Sequence, residues 1–218
     1  MSRWLAAALV LPAAAAAPAA AAPVLRSPLK PCYVSVDRRD REPVVLDATG
    51  FTPGATVDVS VDGKLQGSGV ADATGVLKGQ VQAPWQPAGE RQFALRLAER
   101  DNPAGTLLLY PRVSALWVGI TPARARPWRR VLFRGRGFTA PRDVFAHYRF
   151  RGRLRRTVSL GRPVGDCGLF SVRARQIPVR HAHAGRWTVV FDQRRHATTS
   201  PEVSDRLIIV VRRPRRSH

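Results

Sequence analysis

Apolar and polar residues alternate over several short stretches of this chain. The alternation is clearest in residues 57–61, 170–175 and 186–191. A period of two places one set of side chains on a buried face and the other in solvent, as in a half-buried β-strand. Turn sequences such as Asp62-Gly63 separate the stretches, and closely spaced strands of this kind are typical of a β-sandwich. The pattern therefore predicts an all-β protein.

The chain also resembles itself. The Gly-Phe-Thr of residues 50–52 recurs at residues 137–139, 87 positions later, and the Ala-Gly of residues 88–89 recurs at residues 184–185, 96 positions later. Matching blocks in one order predict two homologous domains of about 100 residues each, joined in tandem. The predicted boundaries, in chain order, are a leader at 1–22, a first domain at 23–110, a second domain at 111–211 and a basic tail at 212–218.

The first 22 residues differ in composition from the rest. Arg3 supplies a positive start, an apolar run follows, and twelve of these residues are alanine. This order is typical of a signal peptide that is cleaved on export. A transmembrane anchor is the competing interpretation, which Pro12 and Pro18 disfavour because they interrupt an already short and weakly apolar segment. We therefore expect a secreted, extracytoplasmic protein that has no membrane span after cleavage and that associates with the cell envelope.

Export changes the interpretation of the two cysteines, Cys32 and Cys167. In an oxidising compartment the two thiols can form a disulfide, which would clamp the two predicted domains together. The alternative is a pair of buried free thiols. If the disulfide forms, the chain-entropy model predicts that it stabilises the folded protein by roughly 4–5 kcal/mol.

The second copy resembles a known family. A strand that ends at Pro122 is followed by a second strand that reaches Gly135-Arg136-Gly137-Phe138, and this order is similar to the opening of an IPT/TIG-type immunoglobulin-like domain. The first copy departs from the family pattern at Ala48, where glycine is expected. The resemblance implies an extracellular immunoglobulin-like β-sandwich used for binding, spacing or display. It implies no catalytic residues, and a fold alone does not define a function.

Charge is divided unequally between the two halves. The formal net charge is +21, yet residues 23–105 carry ten basic and ten acidic side chains, whereas residues 106–218 carry 25 arginines and five acidic side chains. The second half therefore holds almost the whole excess, which favours attraction to an anionic partner. Anionic envelope polymer, acidic glycan and acidic protein all fit, because guanidinium groups bind carboxylate and phosphate in a bidentate manner.

Two groups of arginines are the candidate polyanion-binding residues. If their strands belong to one sheet, they form one positive face. The candidates are Arg149, Arg151, Arg153, Arg155, Arg156, Arg173 and Arg175.

The alternative function is a structural scaffold whose charge serves only solubility. A composition rich in Ala, Arg, Gly, Pro and Val with little Lys is typical of a high-GC bacterium. That bias explains why arginine replaces lysine, but it does not explain why only one half is basic. Specific reading of a nucleic acid is disfavoured, since the sequence contains no recognition helix, RNP-like motif or zinc finger.

Catalytic and metal-binding patterns are not found in the sequence. His181 and His183 would share a face on a strand, but no cysteine or carboxylate lies within a few residues of them. No Gly-x-Ser-x-Gly or His-Glu-x-x-His segment occurs. We therefore expect a non-enzymatic protein without a metal or cofactor. The sequence does not indicate an oligomeric state.

Tryptophans give two further expectations. Trp117 and Trp187 lie in strand-like stretches and are expected in the core. Trp85 and Trp128 lie next to prolines in loops, where they could stack on a sugar ring or cap the end of a sandwich.

Overall fold

The computed structural model describes residues 22–197 and 203–212, and within these ranges it contains strands and no helix. The prediction of an all-β protein is confirmed. The predicted leader, apart from Ala22, and the predicted basic tail, apart from Arg212, lie outside the described residues. In the described ranges no helix has the length and apolar character needed to cross a bilayer.

The described part of the chain contains seventeen strands. In chain order they are β1 (Val24–Leu25), β2 (Cys32–Ser35), β3 (Pro43–Thr49), β4 (Thr56–Val61), β5 (Lys64–Val70), β6 (Leu77–Gln82), β7 (Glu90–Gln92), β8 (Leu95–Glu99), β9 (Thr106–Leu109), β10 (Arg112–Ala115), β11 (Trp117–Thr121), β12 (Arg130–Arg136), β13 (Val144–Phe150), β14 (Arg153–Gly161), β15 (Phe170–Arg175), β16 (Gly185–Asp192) and β17 (Asp205–Val211).

Two facing sheets enclose a first core. One has the strand order β1-β3-β6 and the other the order β5-β4-β8-β9. Their inward side chains meet in one apolar cluster that includes Leu46, Val57, Val59 and Leu97, each at most 5% exposed. The alternation predicted for residues 57–61 is confirmed, since its valines are buried and its polar residues are half-exposed.

A second pair of sheets encloses a second core. Their strand orders are β11-β12-β15 and β14-β13-β16-β17. Large aromatic side chains dominate this cluster: Phe133, Tyr148, Trp187 and Phe191 are each 0% exposed. Trp187 is therefore a core residue, as predicted. Each pair of sheets is a β-sandwich, because inward residues of both layers share one apolar cluster.

The two sandwiches have the same strand plan. In each, a three-stranded sheet faces a four-stranded sheet. When β2 and β7, which pair with β10 in a separate sheet, are left out, the three-stranded sheet contains the first, second and fifth strands of its sandwich. The repeated Gly-Phe is placed alike in both: Gly50 and Gly137 have positive φ angles of 93° and 86°. The phenylalanines that follow them, Phe51 and Phe138, are 3% and 0% exposed. Glycine tolerates this backbone conformation without strain, so the repeated dipeptide marks a turn and a core anchor.

Another sheet, of three short strands, lies at the junction, with the order β2-β10-β7. Strand β10 runs parallel to β2 and antiparallel to β7. Val113 of β10 belongs to the first apolar cluster, whereas Val118 of β11 belongs to the second. The chain thus passes from one core to the other over residues 114–117, slightly later than the sequence-based boundary at residue 110. Strands β9, β10 and β11 belong to three different sheets, so no single sheet runs through the junction.

The predicted disulfide is confirmed. Cys32 of β2 and Cys167, in the turn before β15, are bonded with an S–S distance of 2.05 Å. The sulfurs are enclosed, since the two residues are 1% and 2% exposed. The bond therefore joins a strand beside the first core to a turn of the second sandwich.

The Tyr148 hydroxyl is a buried polar group in the second core. The Tyr148 hydroxyl is buried and has no hydrogen-bond partner among the described residues, and burial raises the pKa of this side chain. Because an unpaired buried hydroxyl carries its full desolvation penalty, we expect Tyr148→Phe to raise the free energy of unfolding by about 1 kcal/mol. Urea denaturation of the two proteins measures the difference. A decrease of similar size would show that the hydroxyl is satisfied in solution.

Candidate anion-binding surface

The outward face of the β11-β12-β15 sheet is lined by arginines. Along β12 the inward residues are Val131, Phe133 and Gly135, so residues 130, 132, 134 and 136 point outward. On β15 the outward residues are 171, 173 and 175. We call the resulting set the arginine face; it comprises Arg130, Arg134, Arg136, Arg173 and Arg175.

Strand register brings like charges together on this face. Arg130 of β12 is paired directly with Arg175 of β15, and the next outward pair is Leu132 with Arg173. Like charges directly opposite one another destabilise a sheet. Within residues 22–197 and 203–212, none of the five arginines of this face has a carboxylate within ion-pair distance. An anion bound at this face would therefore lower the electrostatic repulsion among the five arginines.

The first sandwich provides an internal comparison. Its β3–β6 pair has the same register, so that Asp47 faces Lys78 where Arg134 faces Ser171 in the second sandwich. The other four positions of the arginine face correspond to Pro43, Thr49, Gln80 and Gln82 in the first sandwich. The same sheet thus forms with no net charge on this face, and the fold itself does not require the arginines.

Three carboxylates of the second half are used elsewhere. Asp143 accepts a hydrogen bond from Ser159, and Asp192 lies beside His147. Asp205 accepts hydrogen bonds from the backbone N–H groups of Val118 and Arg206. Burial raises the pKa of the Asp205 carboxyl, and those hydrogen bonds oppose the rise. None of the three compensates the arginine face.

The two predicted arginine groups do not lie in one sheet. One group lies on β13, on β14 and in the turn between them, which belong to the four-stranded sheet, whereas Arg173 and Arg175 lie on β15 of the three-stranded sheet. The condition for a single positive face, that the strands of both groups belong to one sheet, is therefore not met. The reason is topological, because the chain crosses from one layer to the other between β14 and β15. The first group comprises Arg149, Arg151, Arg153, Arg155 and Arg156.

Sequence reasoning missed three members of the arginine face, namely Arg130, Arg134 and Arg136. Their signal was present, since residues 130–136 alternate arginine or leucine with apolar residues and glycine. The stretch was interpreted only as a structural motif of the strand. The pairing of β12 with β15, which are separated by more than 30 residues, is what brings them beside Arg173.

Trp117 does not lie in the core, contrary to the prediction. It points outward from β11, is 45% exposed, and is paired across the sheet with Arg136. The Arg136 guanidinium carbon lies 5.8 Å from the Trp117 ring centroid. An aromatic ring therefore adjoins one end of the arginine face.

A buried polar network lies on the other sheet. His147, which is 1% exposed, has Nδ1 2.9 Å from Thr157 Oγ1 and Nε2 3.1 Å from both Asp192 Oδ1 and the Arg194 carbonyl oxygen. Two acceptors around Nε2 place the ring proton there, so Nδ1 accepts from the Thr157 hydroxyl. The enclosed ring and its occupied nitrogens fasten the loop after β16 to β13 and β14, and they leave no open face for a substrate.

One histidine of the pair considered for metal binding, His183, is used in packing. His183 stacks on Phe150 with a centroid distance of 5.5 Å, and its carbonyl oxygen accepts a hydrogen bond from Trp187 Nε1. Within the described ranges no group of three or more His, Cys, Asp or Glu side chains is placed to hold a metal ion.

Comparisons with known proteins add little. No family model matches the chain, and no curated protein sequence matches it. The solved structure of bovine butyrophilin shares 12% identity over 85% of this chain and 95% of its own, with a TM-score of 0.33. A mutant of Salmonella alpha-2-macroglobulin shares 17% identity over 88% of this chain and 14% of its own, with a TM-score of 0.31. Parabacteroides merdae beta-glucuronidase shares 11% identity over 83% of this chain and 23% of its own, with a TM-score of 0.28. Likenesses this weak carry no argument about function.

Proposed function

We propose that this protein is an exported, non-enzymatic binding module that holds an anionic polymer of the cell envelope on the arginine face of its second sandwich. In this proposal residues 23–110 and 111–211 form tandem immunoglobulin-like domains of the IPT/TIG kind. The confirmed disulfide supports an extracytoplasmic location, because such bonds persist mainly in oxidising compartments.

One observation carries the proposal. Five arginines, none of which has a carboxylate partner among the described residues, share one exposed sheet face, and the matched positions of the first sandwich carry no net charge. A general need for solubility would not select one sheet of one sandwich and place arginine directly opposite arginine. The arginines are about 7 Å apart along β15 and between Arg134 and Arg136, and about 14 Å apart across Leu132 of β12. Planar guanidinium groups at these spacings suit a chain that bears repeated phosphate or carboxylate groups.

Two variants with the same change in net charge test the proposal. In the face variant, Arg130, Arg134, Arg173 and Arg175 are replaced by serine. In the hairpin variant, the same replacement is made at Arg151, Arg153, Arg155 and Arg156. Because each exposed contact contributes about threefold, we expect the face variant to lose about 80-fold in affinity for purified envelope polymer. We expect the hairpin variant to lose at most about fivefold, through the weaker long-range field.

Salt dependence gives a second measurement on the same proteins. Binding of the unmodified protein should weaken steeply as ionic strength rises above about 0.15 M, where the Debye length is about 8 Å. The face variant should show a shallower dependence, since it forms fewer ionic contacts. Equal losses in the two variants, or binding that salt leaves unchanged, would favour the scaffold alternative in which the charge serves only solubility.

A further inference from the structure

The far end of the arginine face holds an aromatic platform. Trp117 and Gly119 are successive outward residues of β11. A Cβ atom added to Gly119 would lie only 2.4 Å from Trp117 Cζ2 and 2.5 Å from Cη2. The six-membered ring of Trp117 therefore lies down across the Gly119 backbone, in space that any other residue at this position would fill.

The Trp117 platform is accessible to a ligand and has a positively charged neighbour. Trp117 keeps 45% of its surface exposed although one edge of its ring rests on Gly119. The Arg136 guanidinium carbon lies over the indole, 5.8 Å from the ring centroid. A ligand that reaches this point therefore meets an apolar aromatic surface and a cation together.

The platform is also in line with the arginines. Outward residues that are paired across the sheet form rows. Arg175 and Arg173 lie on β15 in two successive rows, and Arg134 and Arg136 lie on β12 in the next two. Trp117 lies directly across from Arg136 on β11. With about 7 Å between rows, this line is about 20 Å long. It crosses the sheet obliquely from β15 to β11.

From this arrangement we infer that the polymer held on the arginine face is an acidic glycan, one of whose sugar rings stacks on Trp117 while its carboxylates bind the arginines. This inference rests on the proposed function and narrows its ligand class. A polyanion without sugar rings would bind only through ionic contacts with the arginines, whereas a sugar ring also has an apolar face that can stack on the exposed indole. Binding sites commonly combine a flat aromatic surface with a few placed polar groups.

Two polycarboxylates distinguish charge from stacking. Polygalacturonate carries its carboxylates on sugar rings, whereas poly-L-glutamate carries them on a flexible chain without rings. We expect Trp117→Ala to weaken binding of polygalacturonate about tenfold, equivalent to about 1.4 kcal/mol. Binding of poly-L-glutamate should stay within about twofold, because the arginines are intact. The face variant should weaken binding of both polymers.

Further variants separate the platform from a folding defect. Gly119→Val keeps the indole but displaces it from the sheet, and valine is favoured in strands, so it should reproduce the selective loss. Trp117→Phe should restore part of the affinity. Tyr110→Ala removes another exposed aromatic side chain, 59% exposed and near the first sandwich, and should leave both affinities unchanged.

Each outcome decides between the two proposals. If Trp117→Ala weakens both polymers equally, or neither, the glycan inference is overturned while the arginine face stands. If the same substitution weakens a single-stranded oligothymidylate more than polygalacturonate, the platform serves a nucleobase and the inference is again overturned. If the face variant binds both polymers as the unmodified protein does, the proposed function itself fails.

Discussion

Replacing Cys32 and Cys167 together by alanine is expected to lower the free energy of unfolding by about 5 kcal/mol, because the bridge closes a loop between residues separated by 135 positions. A long cross-link restricts the unfolded chain, and its removal returns that conformational entropy to the unfolded state. The two cores are built from separate segments, so the loss should also split unfolding into two transitions. Urea denaturation followed by tryptophan fluorescence measures both effects.

Reduction provides the control for this experiment. A reducing agent should shift the unmodified protein to the behaviour of the double variant and should leave that variant unchanged. Alanine is the suitable replacement, since both cysteines are almost fully buried and a hydroxyl there would be desolvated. A variant that unfolds in one transition within about 1 kcal/mol of the unmodified protein would show that interdomain packing, and not the bond, couples the sandwiches.

The second large effect is expected at a turn of the first sandwich. Gly75 has φ +75°, and a Cβ atom there would lie 2.3 Å from the Phe51 carbonyl oxygen. Phe51 N–H in turn donates to the Gly75 carbonyl oxygen at 3.2 Å. Gly75→Ala must therefore distort the turn that anchors Phe51, and we expect a loss of about 3–4 kcal/mol in the free energy of unfolding.

Gly63 supplies a matched control. It also has φ +75°, but a Cβ atom there would meet nothing within 4 Å. Gly63→Ala should therefore lower the free energy of unfolding by only about 1 kcal/mol, the cost of a non-glycine residue in this backbone conformation. Urea denaturation of the two single variants isolates the steric part of the effect. Equal losses in the two variants would mean that the close approach to Phe51 relaxes at no cost.

The second sandwich repeats this turn. Gly168 has φ +60°, with a Cβ position only 2.1 Å from the Phe138 carbonyl oxygen. The sequences Asp72-Ala73-Thr74-Gly75 and Asp166-Cys167-Gly168 are similar, and the structure gives both turns the same contact with the repeated phenylalanine. The correspondence supports a duplication, because the contact depends on residues about 25–30 positions apart in each copy.

The local features of the fold were predictable from short stretches of sequence. Alternation at residues 57–61 and 170–175 indicated strands, because a period of two reports directly which side chains are buried. The disulfide was also accessible to sequence reasoning, since each cysteine had one possible partner. Trp117 was assigned wrongly, because an alternating pattern gives two faces and does not say which one an aromatic residue occupies.

The amino-acid sequence was sufficient to predict the strands, to reveal similar blocks in its two halves, and to place almost all of the positive charge in the second half. It was not sufficient to establish which arginines meet. Arg153 and Arg173 are close in sequence, yet they lie in opposite layers, whereas Arg130 and Arg175 are distant in sequence and directly opposed. The physical reason is that burial of apolar side chains in the two cores determines which strands pair, and these strands are distant in sequence. Charged side chains on the outer faces contribute little to that pairing, so their positions result from it.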